Sequence, residues 1–256
     1  MQVVSCGLYV LPFNMQHITH NNIKSKDMTP LEHEIGALKK ELINMWILVQ
    51  SQLNKAKDAM VLFDKDLARE VLIKEKRVNS FELKIDRDCE NIFALHCPVA
   101  IDLRFLLAAL KINTNLERIG DIAAGIAKYV VDSSVNFDLA AMESTSLIRM
   151  YDEAVNILTD TRTAFEKEDT VLARSIFKRD DVLDAINDNS PNTIAEVIRA
   201  DTGSLPEALY ILSVIRKLER VGDQSKNIAE EIIFYVEAKI LKHFESSQLG
   251  PVDDEE

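Results

Sequence analysis

From Thr29 onward, apolar residues recur every three or four positions. Leu31, Ile35, Leu38, Leu42, Met45, Val49, Leu53, Ala56 and Met60 form the first such series. This spacing lines up side chains on one face of an α-helix. Thr29 is suited to cap that helix and Pro30 to open it. Asp64-Lys65-Asp66 restarts the pattern for a second helix through Leu67, Val71, Val78, Phe81, Ile85, Ile92 and Leu95. Cys97-Pro98 interrupts it, and Pro98 is expected to open a third helix reaching about Val131. Asp132 to Asp138, with Ser133, Ser134 and Asn136, reads as a mid-chain linker where the two halves meet.

The second half repeats the plan. One helix is predicted over Leu139 to Glu166 and another from Asp169. A last one starts at Gly203-Ser204-Leu205-Pro206 and runs to about Phe244. Pro191 lies inside the fifth helix and predicts a kink or a short break there. The expected fold is all-α, with six long helices in two tandem antiparallel three-helix bundles over residues 30–134 and 135–246. A loose N-terminal extension covers 1–29, and residues 247–256 form an acidic tail. Composition agrees, since 7 Gly and 6 Pro in 256 residues are too few for a turn-rich β-fold.

The halves share more than their periodicity. Leu116-Glu117-Arg118-Ile119-Gly120-Asp121 recurs 102 residues later as Leu218-Glu219-Arg220-Val221-Gly222-Asp223. Asp64-x-x-Leu67-Ala68-Arg69 recurs 105 residues later as Asp169-x-x-Leu172-Ala173-Arg174. Glu75 and Asn79 correspond in the same way to Asp180 and Asp184. A duplicated three-helix unit is the economical reading.

Each copy carries a polar line within its third helix. Beside the apolar stripe Phe105, Ala109, Ile112, Leu116, Ile119, Ala123, Ile126 and Val130 runs a second stripe. It begins Leu103, Leu107, Leu110 and turns polar at Thr114, Glu117 and Asp121. The last helix follows suit, with Leu205, Leu209 and Leu212 leading into Arg216, Glu219 and Asp223. Carboxylates four apart lie one turn above each other and repel, more so where buried. Continuing an apolar seam, they are expected to be at least half buried and to need a cation. Arg118 and Arg220, each three residues before its Asp, could supply one as ordinary helix ion pairs; a metal is the other choice. Mid-helix Gly120 and Gly222 cost about 1 kcal/mol each against Ala and suggest close approach by a neighbour or ligand. The pairs Glu75/Asn79 and Asp180/Asp184 on the preceding helices could complete all-oxygen sites for Mg, Mn or Fe, and less specifically Zn. The chain has no Glu-x-x-His, so a ferritin-like di-iron centre is disfavoured.

The net charge of −12 argues against direct nucleic-acid binding and against an anionic membrane surface. No apolar run approaches the roughly 18 residues of a membrane span, so membrane insertion is not expected. Three cysteines without a C-x-x-C fit a reducing cytoplasm. His17, His20 and His33 read as solvated histidines, because no ligand helix organises them. Met15 reads as an alternative start, which leaves the first 14 residues unassigned.

The paired Leu-Glu-Arg-(Ile/Val)-Gly-Asp elements, followed by Asn227-Ile228-Ala229-Glu230, resemble the motif of the PhoU family, as does Pro98-Val99-Ala100-Ile101-Asp102-Leu103-Arg104. The resemblance spans about Leu31 to His243. It implies two tandem three-helix bundles and a cytoplasmic negative regulator, or signalling adaptor, of phosphate uptake and phosphate homeostasis. The implied partners are a membrane sensor histidine kinase and the phosphate ABC transporter; a homodimer is one arrangement left open. It also implies metal-binding sites for Fe or Zn. Their ligands would be Asp180, Asp184, Glu219 and Asp223 in the second bundle, and Glu75, Asn79, Glu117 and Asp121 in the first. Because Asn79 donates no charge, a metal in the first bundle is expected to be the weaker. The second half lacks a counterpart of Asp102 and Arg104, whose roles, like those of Arg118 and Arg220, stay open. No catalytic residue is assigned. Two alternatives stand beside the adaptor: a metal-dependent hydrolase using the same carboxylates, and a purely structural bundle with register-setting acids.

Overall fold

The computed structural model describes residues 28–241, and every regular element among them is helical. The first half consists of α1 (Pro30–Leu62), α2 (Lys65–His96) and α3 (Ala100–Asp132). The second consists of a short α4 (Leu139–Ser144), then α5 (Leu147–Lys167), α6 (Thr170–Ala200) and α7 (Leu205–Glu237), with a 3-10 turn at Thr202–Ser204 before α7. The described residues therefore hold six long helices and one short one.

Local chemistry accounts for most boundaries. Thr29 and Glu32 form a reciprocal capping box at the start of α1, with bonds of 2.7 and 3.2 Å. Asp64 caps α2 and Asp169 caps α6, each through one side-chain oxygen that accepts from the amides two and three residues on. The residues before them, Phe63 and Glu168, are both left-handed, with φ of 50° and 54°. The Asp64 and Asp169 amides donate back to Ala59 and Ala164, each at 2.9 Å. The repeat thus extends to an identical helix-to-helix joint.

Several sequence-based boundaries shift. Pro98 does not open α3; Cys97 turns left-handed, Val99 is extended, and the helix begins at Ala100. The predicted helix Leu139 to Glu166 is broken, because Thr145 Oγ1 bonds the carbonyls of Ala141 and Met142 and Ser146 turns left-handed at φ 60°. Conversely, α6 runs unbroken through Pro191. The last helix stops at Glu237, where Ala238 turns left-handed, and Phe244 lies outside the described residues. His17, His20, the first 14 residues and the acidic tail also lie outside them, while His33 is exposed.

Helices α1, α2 and α3 pack on one another, as do α5, α6 and α7. The chain passes from one half to the other between Asp132 and Leu139, but contact between the halves reaches well beyond that linker. They join along α3 against α7 and α1 against α5, with one continuous apolar core between. The stripe Phe105, Ala109, Ile112, Leu116, Ile119, Ala123, Ile126, Val130 is buried throughout. Polar ties cross the same seam. Trp46 Nε1 donates to the Leu158 carbonyl at 3.2 Å, and Lys111 pairs with buried Glu231 at 2.8 Å. The Arg104 Nε donates to the Tyr235 carbonyl at 3.3 Å, which gives this motif arginine a place in holding the halves together. Lys111 beside Glu231 and Gly125 beside Lys217 set α3 and α7 antiparallel. Both Leu-Glu-Arg elements consequently fall near the middle of their crossing.

Candidate functional site: two acidic clusters

In the second half, α6 and α7 run antiparallel and bring Asp180, Asp184, Glu219 and Asp223 into one electrostatic neighbourhood. Glu219 senses the other three carboxylates, and its own pKa is raised by burial and by their repulsion. Asp180 is 1% exposed. Burial pushes its carboxyl up to about 6, against the opposing pull of Lys226. Lys226 is the cation in this cluster. Its Nζ bonds Asp180 Oδ2 and lies 3.5 Å from Asp223 Oδ1. Asp180 Oδ1 is buried without a hydrogen bond and packs against Gly222. The bare backbone at 222 therefore admits a neighbouring side chain, Asp180.

The first half builds a related but different cluster. Glu117 is pushed up to about 7, first by burial and then by Asp121 and Glu82. Glu82 is raised by burial and by Asp86 and Asp121. Glu75 stands apart from these acids in its bonding: its Oε1 accepts from Asn79 Nδ2 at 2.6 Å, leaving Asn79 Oδ1 buried and unpaired. Asn113 on α3 ties the far end of the cluster to α2, donating to the Glu82 carbonyl at 3.0 Å and to Asp86 Oδ1 at 2.9 Å. Gly120 faces Val78, whose Cγ1 would stand 3.1 Å from an added β-carbon.

Two sequence expectations about these clusters change. The stripes are less buried than a seam requires: Asp121 is exposed, the Asp223 side chain is 42% exposed, and Leu103, Leu107, Leu205 and Leu209 all face outward. The stripe lies at the edge of each bundle rather than inside it. Arg118 and Arg220 are also exposed, and neither makes an ion pair among the described residues. Asp102 is half-buried.

Glu82, Asp86 and Lys226 escaped sequence reasoning. The first two continue the three-and-four spacing from Glu75 and Asn79, a signal that could have found them. Lys226 reads as an ordinary i, i+3 partner of Asp223 and gives no sign of its reach to α6.

Do these residues suit a metal? Among the described residues no three His, Cys, Asp or Glu side chains form a ready cage. In the first cluster the acids are hard oxygen donors that no lysine bonds among the described residues, although the charge of Lys217 reaches Asp121, and the orphaned Asn79 Oδ1 is a spare acceptor. That donor set fits a hard or borderline cation once the carboxylates swing inward. In the second cluster Lys226 already holds Asp180 Oδ2, so the fit is poor as built.

The PhoU domain model matches residues 42–130 and 147–232, one stretch in each half. The chain is 30% identical over 221 residues to the phosphate-specific transport system accessory protein PhoU homolog 1 of Thermotoga maritima, covering 85% of this chain and 94% of that protein. It is likewise 30% identical to the phosphate-specific transport system accessory protein PhoU of Escherichia coli, over 84% of this chain and 89% of the relative. The crystal structure of PhoU from Pseudomonas aeruginosa superposes with a TM-score of 0.75 at 27% identity, covering 82% of this chain and all of that one. The regulatory protein PhoU from Streptococcus pneumoniae superposes at 0.72 and 27% identity, covering 82% of this chain and 99% of that one. Matched in both halves, across most of its length, and in fold, the chain belongs to the PhoU family.

Proposed function

We propose that this protein is a non-enzymatic accessory of phosphate transport that restrains phosphate uptake and phosphate-starvation signalling through protein partners. The match to accessory proteins of the phosphate-specific transport system over more than four-fifths of the chain carries this reading. The partners it points to are the phosphate ABC transporter and the sensor histidine kinase implied by the family resemblance. The surface supports a docking role. On α3, exposed Leu103 and Leu107 lead along one stripe to Glu117 and Asp121, and α7 repeats this with Leu205, Leu209, Glu219 and Asp223. Apolar side chains beside carboxylates suit a partner that brings an amphipathic, basic face. The absence of a membrane-spanning helix among the described residues is compatible with a cytoplasmic accessory.

The first cluster is the place for a metal in this reading. Glu75, Glu82, Glu117 and Asp121, with the Asn79 amide oxygen, would hold Fe, Zn, Mn or Mg. The ion would clamp α2 to α3 and so stiffen the face that α3 presents.

Deleting the gene and growing cells in ample phosphate tests the regulatory reading. Phosphate-starvation genes should be derepressed, and expression unchanged from wild type would refute it.

A further inference from the structure

The two clusters occupy matching places in the repeat but differ in one decisive residue. Three positions after Asp223 stands Lys226; three positions after Asp121 stands Ala124. The lysine is no solvated surface charge. It reaches from α7 to α6, bonds Asp180 Oδ2, lies near Asp223, and its charge acts on Asp184 as well. The other oxygen of Asp180 is packed against Gly222, where the Leu183 side chain also lies.

A divalent ion shared by Asp180 and Asp223 would have to take the place of that ammonium. Any ion beside it would meet a positive charge within a few ångströms in a half-buried setting, where repulsion is poorly screened. Expelling the ammonium would in turn cost Lys226 a half-buried ion pair. In the first cluster the same position is a methyl group; Lys217 of α7 acts on Asp121 through its charge but, unlike Lys226, forms no ion pair with the acids there among the described residues.

We infer that Lys226 is the resident cation of the second cluster, replacing a metal and excluding one. The clusters are then unequal by construction, in the reverse order from that expected on carboxylate count. The exclusion at the second cluster rests on Lys226 alone. That metal goes to the first cluster instead rests on the functional reading above.

The test uses the full chain carrying Glu117→Gln and Asp121→Asn, which silences the first cluster. Chelator-stripped protein is incubated with Mn²⁺, gel-filtered, and assayed for retained metal and for thermal midpoint. With Lys226 present, no Mn²⁺ should be retained and the midpoint should not move. Lys226→Met and Lys226→Gln should each retain roughly one Mn²⁺ per chain and melt higher with it, whereas Lys226→Arg should behave as the parent. Retention by the parent that disappears on adding Asp184→Asn and Asp223→Asn would overturn the inference. So would folded Met and Gln variants that retain none. If those variants unfold in chelator, refolding on addition of Mn²⁺ supports the inference and failure to refold overturns it. A chain with its first cluster intact that retains no Mn²⁺, while Lys226→Met gains one, sinks only the first-cluster reading.

Discussion

Asp180 of α6 rests its buried carboxylate on the bare backbone of Gly222 in α7, with Leu183 Cδ1 only 2.7 Å from where a β-carbon on residue 222 would stand. The pseudo-equivalent Gly120 meets a softer neighbour, Val78, at 3.1 Å. The same glycine thus has different necessity in the two halves.

Gly222→Ala should cost about 1–3 kcal/mol by overpacking, because both neighbours are anchored. Gly120→Ala should fall within about 1 kcal/mol of wild type, since the helix-propensity gain offsets a small shift of Val78. Urea unfolding of the two variants checks the contrast. Equal losses would mean that the Asp180 contact is not what demands glycine.

Glu237 supplies the pH prediction. A two-pronged bond from Arg174, each arm 2.7 Å, holds its carboxyl at about 2 against an ordinary 4.5. The folded value is depressed, so the pair stabilises fully above the ordinary value and is lost as pH falls from there through about 2. Glu237→Gln should therefore lower the thermal midpoint at pH 7 and converge with wild type between pH 4.5 and 2. A constant gap across that range would contradict this.

The tie between the halves is testable at Lys111. Lys111→Met leaves the buried Glu231 carboxylate unpaired and should cost about 1–3 kcal/mol. Adding Glu231→Met should recover much of the loss, as replacing a buried pair by apolar side chains commonly does. Thermal melts of both variants and of wild type decide it.

The docking face yields a cellular prediction. Leu107→Glu with Leu209→Glu changes two exposed positions, so stability should stay within about 0.5 kcal/mol per site. Repression of phosphate-starvation genes should nonetheless weaken towards that of the deletion strain. Full repression by the folded double variant would remove this face from partner contact.

The sequence alone determined what neighbours along one chain can settle. Caps at Thr29, Asp64 and Asp169 set helix starts through bonds spanning two or three residues, and apolar spacing set which face of each helix is buried. The repeat was legible because duplicated residues need no geometry to be compared. Tertiary structure decided what each face meets. Periodicity places Glu219 and Asp223 on one stripe but does not say whether that stripe lies inside the bundle or at its edge, which depends on where α6 crosses. It shows Lys226 one turn from Asp223, yet its bond is to Asp180, 46 residues away in sequence. Helical spacing relates side chains on one helix. Which charge a neighbouring helix presents to them is fixed only by packing, and packing is what carries the Lys226 ammonium across to Asp180.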